Sequence, residues 1–144
     1  MRFRRLHLIW TLAAILFLSF SSDESSFKVV GETSMKMVLS LDQKIELAEM
    51  KIQNLSDRPI SLVWERTDNT LKAGWDYSMC AYGKCQIGIP TTGVLNKILP
   101  GKTGFIAIHL FPKGVTGSGK VAFTLYDKYH PEFKENVEFA VEVN

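Results

Sequence analysis

From about Met35 onward the chain is a succession of short apolar runs, each four to nine residues long and closed by turn residues, with no convincing amphipathic helix. That pattern is the strongest constraint on the fold. Side chains of a strand alternate between two faces, so runs of period two separated by Gly, Pro, Asn and Asp describe an all-β domain. In Met35–Leu41 the residues Met35, Met37, Leu39 and Leu41 share one face, and in Ile60–Arg66 the residues Ile60, Leu62 and Trp64 do so. The last run, Val137–Val143, places Phe139 and its valines inward and its glutamates outward. Phe105–Phe111 is apolar on both faces, which predicts a central strand covered on both sides. Val121–Tyr126 is a further strand, Val94–Leu99 a weaker one, and Phe27–Val30 a short first one.

Residues 44–53 carry two signals. Nearly all are good helix formers, yet Ala48, Met50 and Ile52 alternate with Glu49, Lys51 and Gln53, and Asn54–Pro59 follows as a turn. The alternation favours a strand. The connections are Pro100–Gly104 and a loop over Asp127–Glu132, and Ser22–Ser26 reads as a disordered polar tail. The sum is an antiparallel β-sandwich of immunoglobulin-like type with seven or eight strands.

The N-terminus sets the location. Met1-Arg2-Phe3-Arg4-Arg5 is followed by an apolar run from Leu6 to about Leu18, then small residues and Asp23-Glu24. A basic start, a short apolar stretch and small residues form a secretory signal peptide over residues 1–22, cut after Ser21 or Ser22. The run is shorter than the ~20 residues that cross a bilayer, so no membrane association is expected after cleavage. Residues 23–34 are then a tail with the short first strand, and residues 35–144 the sandwich. Cleavage removes three of 17 basic residues, leaving 14 against 15 acidic ones. A near-neutral domain without a basic block is a poor nucleic-acid binder. The expected location is the periplasm or the exterior.

Gly74–Cys85 interrupts the strands and holds both cysteines, Trp75, Tyr77 and Tyr82. In an exported chain, Cys80 and Cys85 are expected to pair as a structural disulfide. A zinc site would need two more ligands, and outside the leader only His109 and His130 could join as histidines. Thioredoxin-type redox pairs have two intervening residues, not four. No metal or cofactor is expected. Trp75, Tyr77 and Tyr82 are the candidate binding surface for a protein or glycan partner, because aromatics on a tethered loop offer contact area at low entropic cost. The competing reading has Trp75 close the open edge of the sandwich while the tyrosines pack around the disulfide.

Three other motifs invite chemistry. Gly114–Lys120 has the glycine and lysine spacing of a phosphate-binding loop, but the next residue is Val121 where Ser or Thr must hold magnesium, and the segment joins two strands. Asn54-Leu55-Ser56 has the form of a glycosylation sequon and reads as a turn. His109 lies in an apolar strand and His130 in a loop, with no serine or acid at a telling spacing, so no catalytic residue is expected.

Several phrases together carry a family resemblance: Asn54-Leu55-Ser56, Leu62-Val63-Trp64, Trp75 ahead of Cys80 and Cys85, Leu99-Pro100-Gly101, Ile108–Gly119 and Leu125-Tyr126-Asp127. The chain resembles an immunoglobulin-like module of secreted Bacteroidetes-type proteins, over about residue 35 to the end. Such modules often precede a C-terminal sorting domain of the type IX pathway. The resemblance implies a sandwich and an envelope or extracellular location, and no activity. The last strand-like run ends at the final residue, Asn144, which leaves no sorting domain and favours a periplasmic end-point. The expected role is a non-catalytic binding, adhesion or structural module. Its rivals are a periplasmic accessory subunit or inhibitor and a small secreted hydrolase. The last would show His109 or His130 beside a serine and an acid.

Overall fold

The computed structural model describes residues 24–43 and 46–144. The signal-peptide segment 1–22 lies outside the described residues. Among the described residues ten strands form: β1 (Phe27–Val30), β2 (Ser34–Leu39), β3 (Glu46–Asn54), β4 (Leu62–Asn69), β5 (Asp76–Ala81), β6 (Lys84–Ile87), β7 (Thr92–Val94), β8 (Thr103–Phe111), β9 (Gly117–Asp127) and β10 (His130–Val143). They make two five-stranded sheets, ordered β1-β3-β8-β5-β6 and β2-β10-β9-β4-β7. The all-β sandwich expected from the alternation is the fold observed. From Glu46 onward the ambiguous stretch is strand, because Ala48, Met50 and Ile52 are all buried between the sheets; its first two residues, 44 and 45, lie outside the described residues.

The details depart from expectation in four places. The strand number is ten because the cysteine segment is itself a hairpin (β5–β6) and a three-residue β7 pairs with β4. One pairing is parallel, β2 with β10. The loop expected over Asp127–Glu132 is only Lys128-Tyr129, with β10 beginning at His130 and a register shift between His130 and Lys134. In place of one strand over Val94–Leu99, β7 ends at Val94 and Ile98 makes an isolated bridge to Ile60.

The inner faces supply the core. Trp64, Phe123 and Phe139 meet edge-to-face, with ring centroids 5.8 and 6.4 Å apart, the geometry favoured by aromatic quadrupoles. Gly93 lets β7 cross this cluster, since a Cβ there would lie 2.5 Å from the Trp64 ring. Ile52, Ile60, Leu62, Met79, Ile98, Ile106 and Ile108 are completely buried around it. Met37 and Leu39 are buried as the alternation requires, but Leu41 falls in a turn past the end of β2 and is exposed.

β8 is central in its sheet, yet only one of its faces lies in the core. Ile106, Ile108 and Leu110 point inward, while Phe105, His109 and Phe111 are half-exposed on the outer face. A two-layer sandwich has no third layer to cover that face. Ala107 alone is fully buried there, opposite Cys80 on one side and Glu49 on the other.

The N-terminal segment is anchored where a disordered tail was expected. Ser26 is buried, and its hydroxyl donates to Asp127 Oδ2 at 2.7 Å. Asp127 is completely buried and also accepts from the Tyr129 amide at 2.9 Å, with Arg58 at 3.4 Å. Burying a carboxylate requires such partners.

Candidate functional site

β5 and β6 form a hairpin through Tyr82-Gly83. Gly83 adopts φ 98°, a conformation that demands glycine, and it packs against the exposed Asn96 side chain, which a Cβ there would displace. This tight turn sets Cys80 directly opposite Cys85, with Cα atoms 4.0 Å apart, and the two are joined by a disulfide. The bond lies within one sheet. Cys80 is buried and Cys85 is exposed.

The structure does not bring the three aromatics of the expected binding surface together as one exposed patch. Trp75 is 3% exposed, and its indole N–H donates to the Val115 carbonyl at 2.8 Å. It pins the β4–β5 connection to the β8–β9 connection, with Gly74 crowded against Val115, and so closes the end of the sandwich. Tyr77 alternates with buried Met79 on the inner side of β5 and packs on the core, half-buried. Tyr82 packs edge-to-face on Phe105 at 5.8 Å. An indole nitrogen needs a buried acceptor more than a partner when the ring can close an apolar layer, which is why Trp75 turns inward.

The surface that sequence reading missed is the outer face of the first sheet. Register places His109 between Leu47 of β3 and Ser78 of β5, and Phe111 opposite Asp76. Ile87, two residues beyond Cys85, is 97% exposed, and Leu47 is 49% exposed. Asp76, Tyr77, Ser78, Ile87, His109, Leu110 and Phe111 line a shallow groove of ≈ 390 Å³, so Tyr77 of the expected binding surface borders it. A sequence signal existed: Phe105–Phe111 is apolar on both faces, and a two-layer fold can cover only one.

His109 Nε2 lies 3.6 Å from Cys80 Sγ. Ser78 is its cross-strand neighbour and Asp76 shares the groove, but no hydrogen bond joins Ser78 to His109 among the described residues. Asp76 instead pairs with Lys113 Nζ at 3.2 Å. His130 Nδ1 contacts Glu132 Oε1 at 3.1 Å and stacks on Phe133. A backbone hydrogen bond, aided by the His130 contact, holds the Glu132 carboxyl below its ordinary range. The serines nearest His130 are otherwise engaged: Ser25 donates to the Phe27 carbonyl, Ser26 to Asp127, and Ser56 to Asn54 and the Arg58 carbonyl. The hydrolase signature of a histidine bonded to both serine and acid is therefore not assembled among the described residues. Nor do three His, Cys, Asp or Glu side chains converge on a metal-sized site there.

The two sequence decoys resolve into structure. Pro112-Lys113-Gly114-Val115 is a turn closed by the Val115 amide on the Pro112 carbonyl, with Lys113 and Gly114 at positive φ (55° and 75°), and Gly117–Lys120 already belongs to β9. Asn54 of the sequon is fully buried. Its amide donates to the Arg58 and Ile98 carbonyls, and its oxygen accepts from the Ser56 amide and hydroxyl, all at 2.7–2.8 Å.

Neither a protein-family model nor a curated protein matches this chain. Solved structures do. The chain is similar to the N-terminal domain of PorA, with a TM-score of 0.55 and 14% identity over 84% of this chain and 98% of that one. It is similar to part of a family 123 glycoside hydrolase from Clostridium perfringens, at 0.51 and 11% identity, over 80% of this chain but 23% of the other. A PapD-like domain of human CEP192 matches at 0.49 and 8% identity, over 95% and 98% of the two chains. The first two likenesses, at these identities, are of fold alone, and with the two packed sheets they make the chain an immunoglobulin-like β-sandwich.

Proposed function

We propose that this chain is an exported, non-catalytic binding module of the bacterial envelope or exterior, and that it engages a protein partner through the outer face of the β1-β3-β8-β5-β6 sheet. The observation that carries the reading is Ile87, a large aliphatic side chain 97% exposed in a strand and set beside the groove of His109 and Phe111. A lone exposed aliphatic residue is ordinary, but Ile87 borders a groove shared with the half-exposed Phe111, and contiguous apolar surface is what partners bury. Ile87 and the half-exposed Phe111 give the groove an apolar lining of the kind a protein partner buries. The signal-peptide pattern and the resemblance to secreted Bacteroidetes-type modules support export.

A second reading, an accessory subunit or inhibitor capping a partner, draws on β6. It is the edge of its sheet, with no strand beyond it among the described residues, so an extended segment of a partner could pair there and continue the apolar face.

The test has two arms. Fractionation of cells expressing the full chain should find it outside the cytoplasm, shortened by the leader. The protein captured by the wild-type chain should then be lost with Ile87→Asp and kept with an exposed control change, Lys97→Asp. Retention of the intact leader in the cytoplasm would sink the export reading, and unchanged capture by Ile87→Asp would sink the surface.

A further inference from the structure

We propose that Cys80–Cys85 is an exchangeable disulfide, opened in the folded protein by an external thiol that attacks Cys85, with Cys80 leaving beside His109. Three observations converge. The first is access. Cys85 is exposed and Cys80 is buried, so the two sulfurs are not equivalent to an incoming thiolate. The second is direction. Attack on a disulfide runs in line with the S–S bond, and the two cysteines face each other across β5 and β6. Approach to Cys85 therefore comes from the open edge of the sheet, where β6 has no neighbour, while approach to Cys80 would come through β8, where Ala107 is opposite and His109 adjoins. The third is the leaving group. His109 Nε2 is 3.6 Å from Cys80 Sγ, so a proton on that nitrogen is donated to the departing sulfur. A leaving thiolate that is stabilised departs faster.

The step balances as two exchanges. An external dithiol, as thiolate, attacks Cys85 Sγ, forming a mixed disulfide and releasing Cys80 as a thiolate that takes a proton. The second thiol of the reductant then attacks its own sulfur in the mixed disulfide and releases Cys85. The reductant loses two electrons and two protons and becomes a disulfide, while Cys80 and Cys85 gain both. The hairpin survives opening because Met79 with Gln86 and Ala81 with Lys84 pair on either side of the bond. The groups facing His109 are Leu47 from β3, Ser78 and Cys80 from β5, and Phe111 along β8. The charged Asp76 lies opposite Phe111, paired to Lys113, and Glu49 lies opposite Ala107.

The test uses the purified chain with its disulfide intact. Reaction with reduced glutathione, alkylation of the freed thiol and peptide mass analysis should place glutathione on Cys85 and the alkyl group on Cys80. Under native conditions, reduction by dithiothreitol should accelerate in proportion to its concentration. His109→Phe should slow it by about tenfold at unchanged thermal midpoint, and His109→Gln, which keeps a side-chain N–H, should recover part of the rate. Glutathione on Cys80, or spread over both cysteines, would overturn the assignment of the entry sulfur. A rate independent of dithiothreitol would mean attack only after unfolding and would overturn the proposal. An unchanged rate in His109→Phe would remove His109 from it. Should that variant fail to fold, the adduct position and the concentration dependence in the wild type still decide.

Discussion

At the scale of single residues, two small side chains carry more of the fold than their size suggests. Asn54 ends β3 completely buried and spends both amide protons and its oxygen on the 54–58 turn and on Ile98, which bridges to Ile60. Asn54→Ala removes four hydrogen bonds; the Ile98 and Arg58 carbonyls keep the Ile60 amide and the Ser56 hydroxyl, while the Ser56 amide loses its acceptor, and each lost bond costs about 0.5–1.5 kcal/mol net. We expect a loss of about 3 kcal/mol, read from urea unfolding with an unchanged m-value. A loss below about 1 kcal/mol would show that water replaces the side chain. Gly93 is the second case. Gly93→Ala drives a methyl into the Trp64 indole, which sits among Phe123 and Phe139 and whose buried N–H has no partner among the described residues. Overpacking of this kind costs about 1–3 kcal/mol. If Trp64 can yield, the same denaturation experiment will show no shift, while a broken cluster will also blue-shift or quench the buried tryptophan emission.

At the scale of elements, alternation was a sufficient guide wherever a strand had one dry and one wet face. It placed Ala48, Met50 and Ile52 inward despite their helix-forming neighbours, and it oriented all of β10 from Val137 on. It was insufficient where geometry depends on partners. Nothing local distinguishes Leu41 from Leu39, yet the chain turns after β2 and exposes it. Nothing in Phe105–Phe111 says whether a second layer covers both faces. Trp75 on a tethered loop could face either way until Val115 supplies its acceptor. Nor does the pattern reveal that β2 runs parallel to β10, where Lys36 Nζ meets Glu142 Oε2 at 2.6 Å. The Lys36 ammonium, by its hydrogen bond first and its charge second, holds the Glu142 carboxyl below its ordinary value of 4.5. A depressed carboxyl contributes stability that is present above the unfolded value and lost as pH falls through the folded one. The thermal midpoint of Lys36→Met should therefore lie below that of the wild type at pH 7, and the gap should close as pH drops below 4.5. The pair is exposed, so the gap is small and shrinks with added salt. A gap that persists to pH 2 would mean Lys36 acts through its aliphatic stem on β10 rather than through its charge.

At the scale of the molecule, the N-terminal segment closes the sandwich. β1 covers the outer side of β3 as the edge strand of its sheet, carrying Phe27 and Val29 into the core, and Ser26 reaches the far end of β9 at Asp127. The segment thereby ties the first sheet to the second through the Ser26–Asp127 hydrogen bond. Burying Phe27 and Val29 contributes about 1.5–3 kcal/mol each, a large share of the 5–15 kcal/mol typical of a whole domain. A chain lacking residues 1–31 should lose about 4 kcal/mol or more in denaturant titration, and it should also change its assembly state. Without β1, the side of β3 that paired with it from Lys51 to Gln53 becomes an open edge beside the already exposed Leu47, and unpaired edges recruit strands of other copies. Size-exclusion chromatography should then show concentration-dependent oligomers that Lys51→Pro suppresses, because Pro removes the amide that a visiting strand would use. A monomeric truncation with an unchanged midpoint would place the closure of the sandwich elsewhere, in the parallel β2–β10 pair.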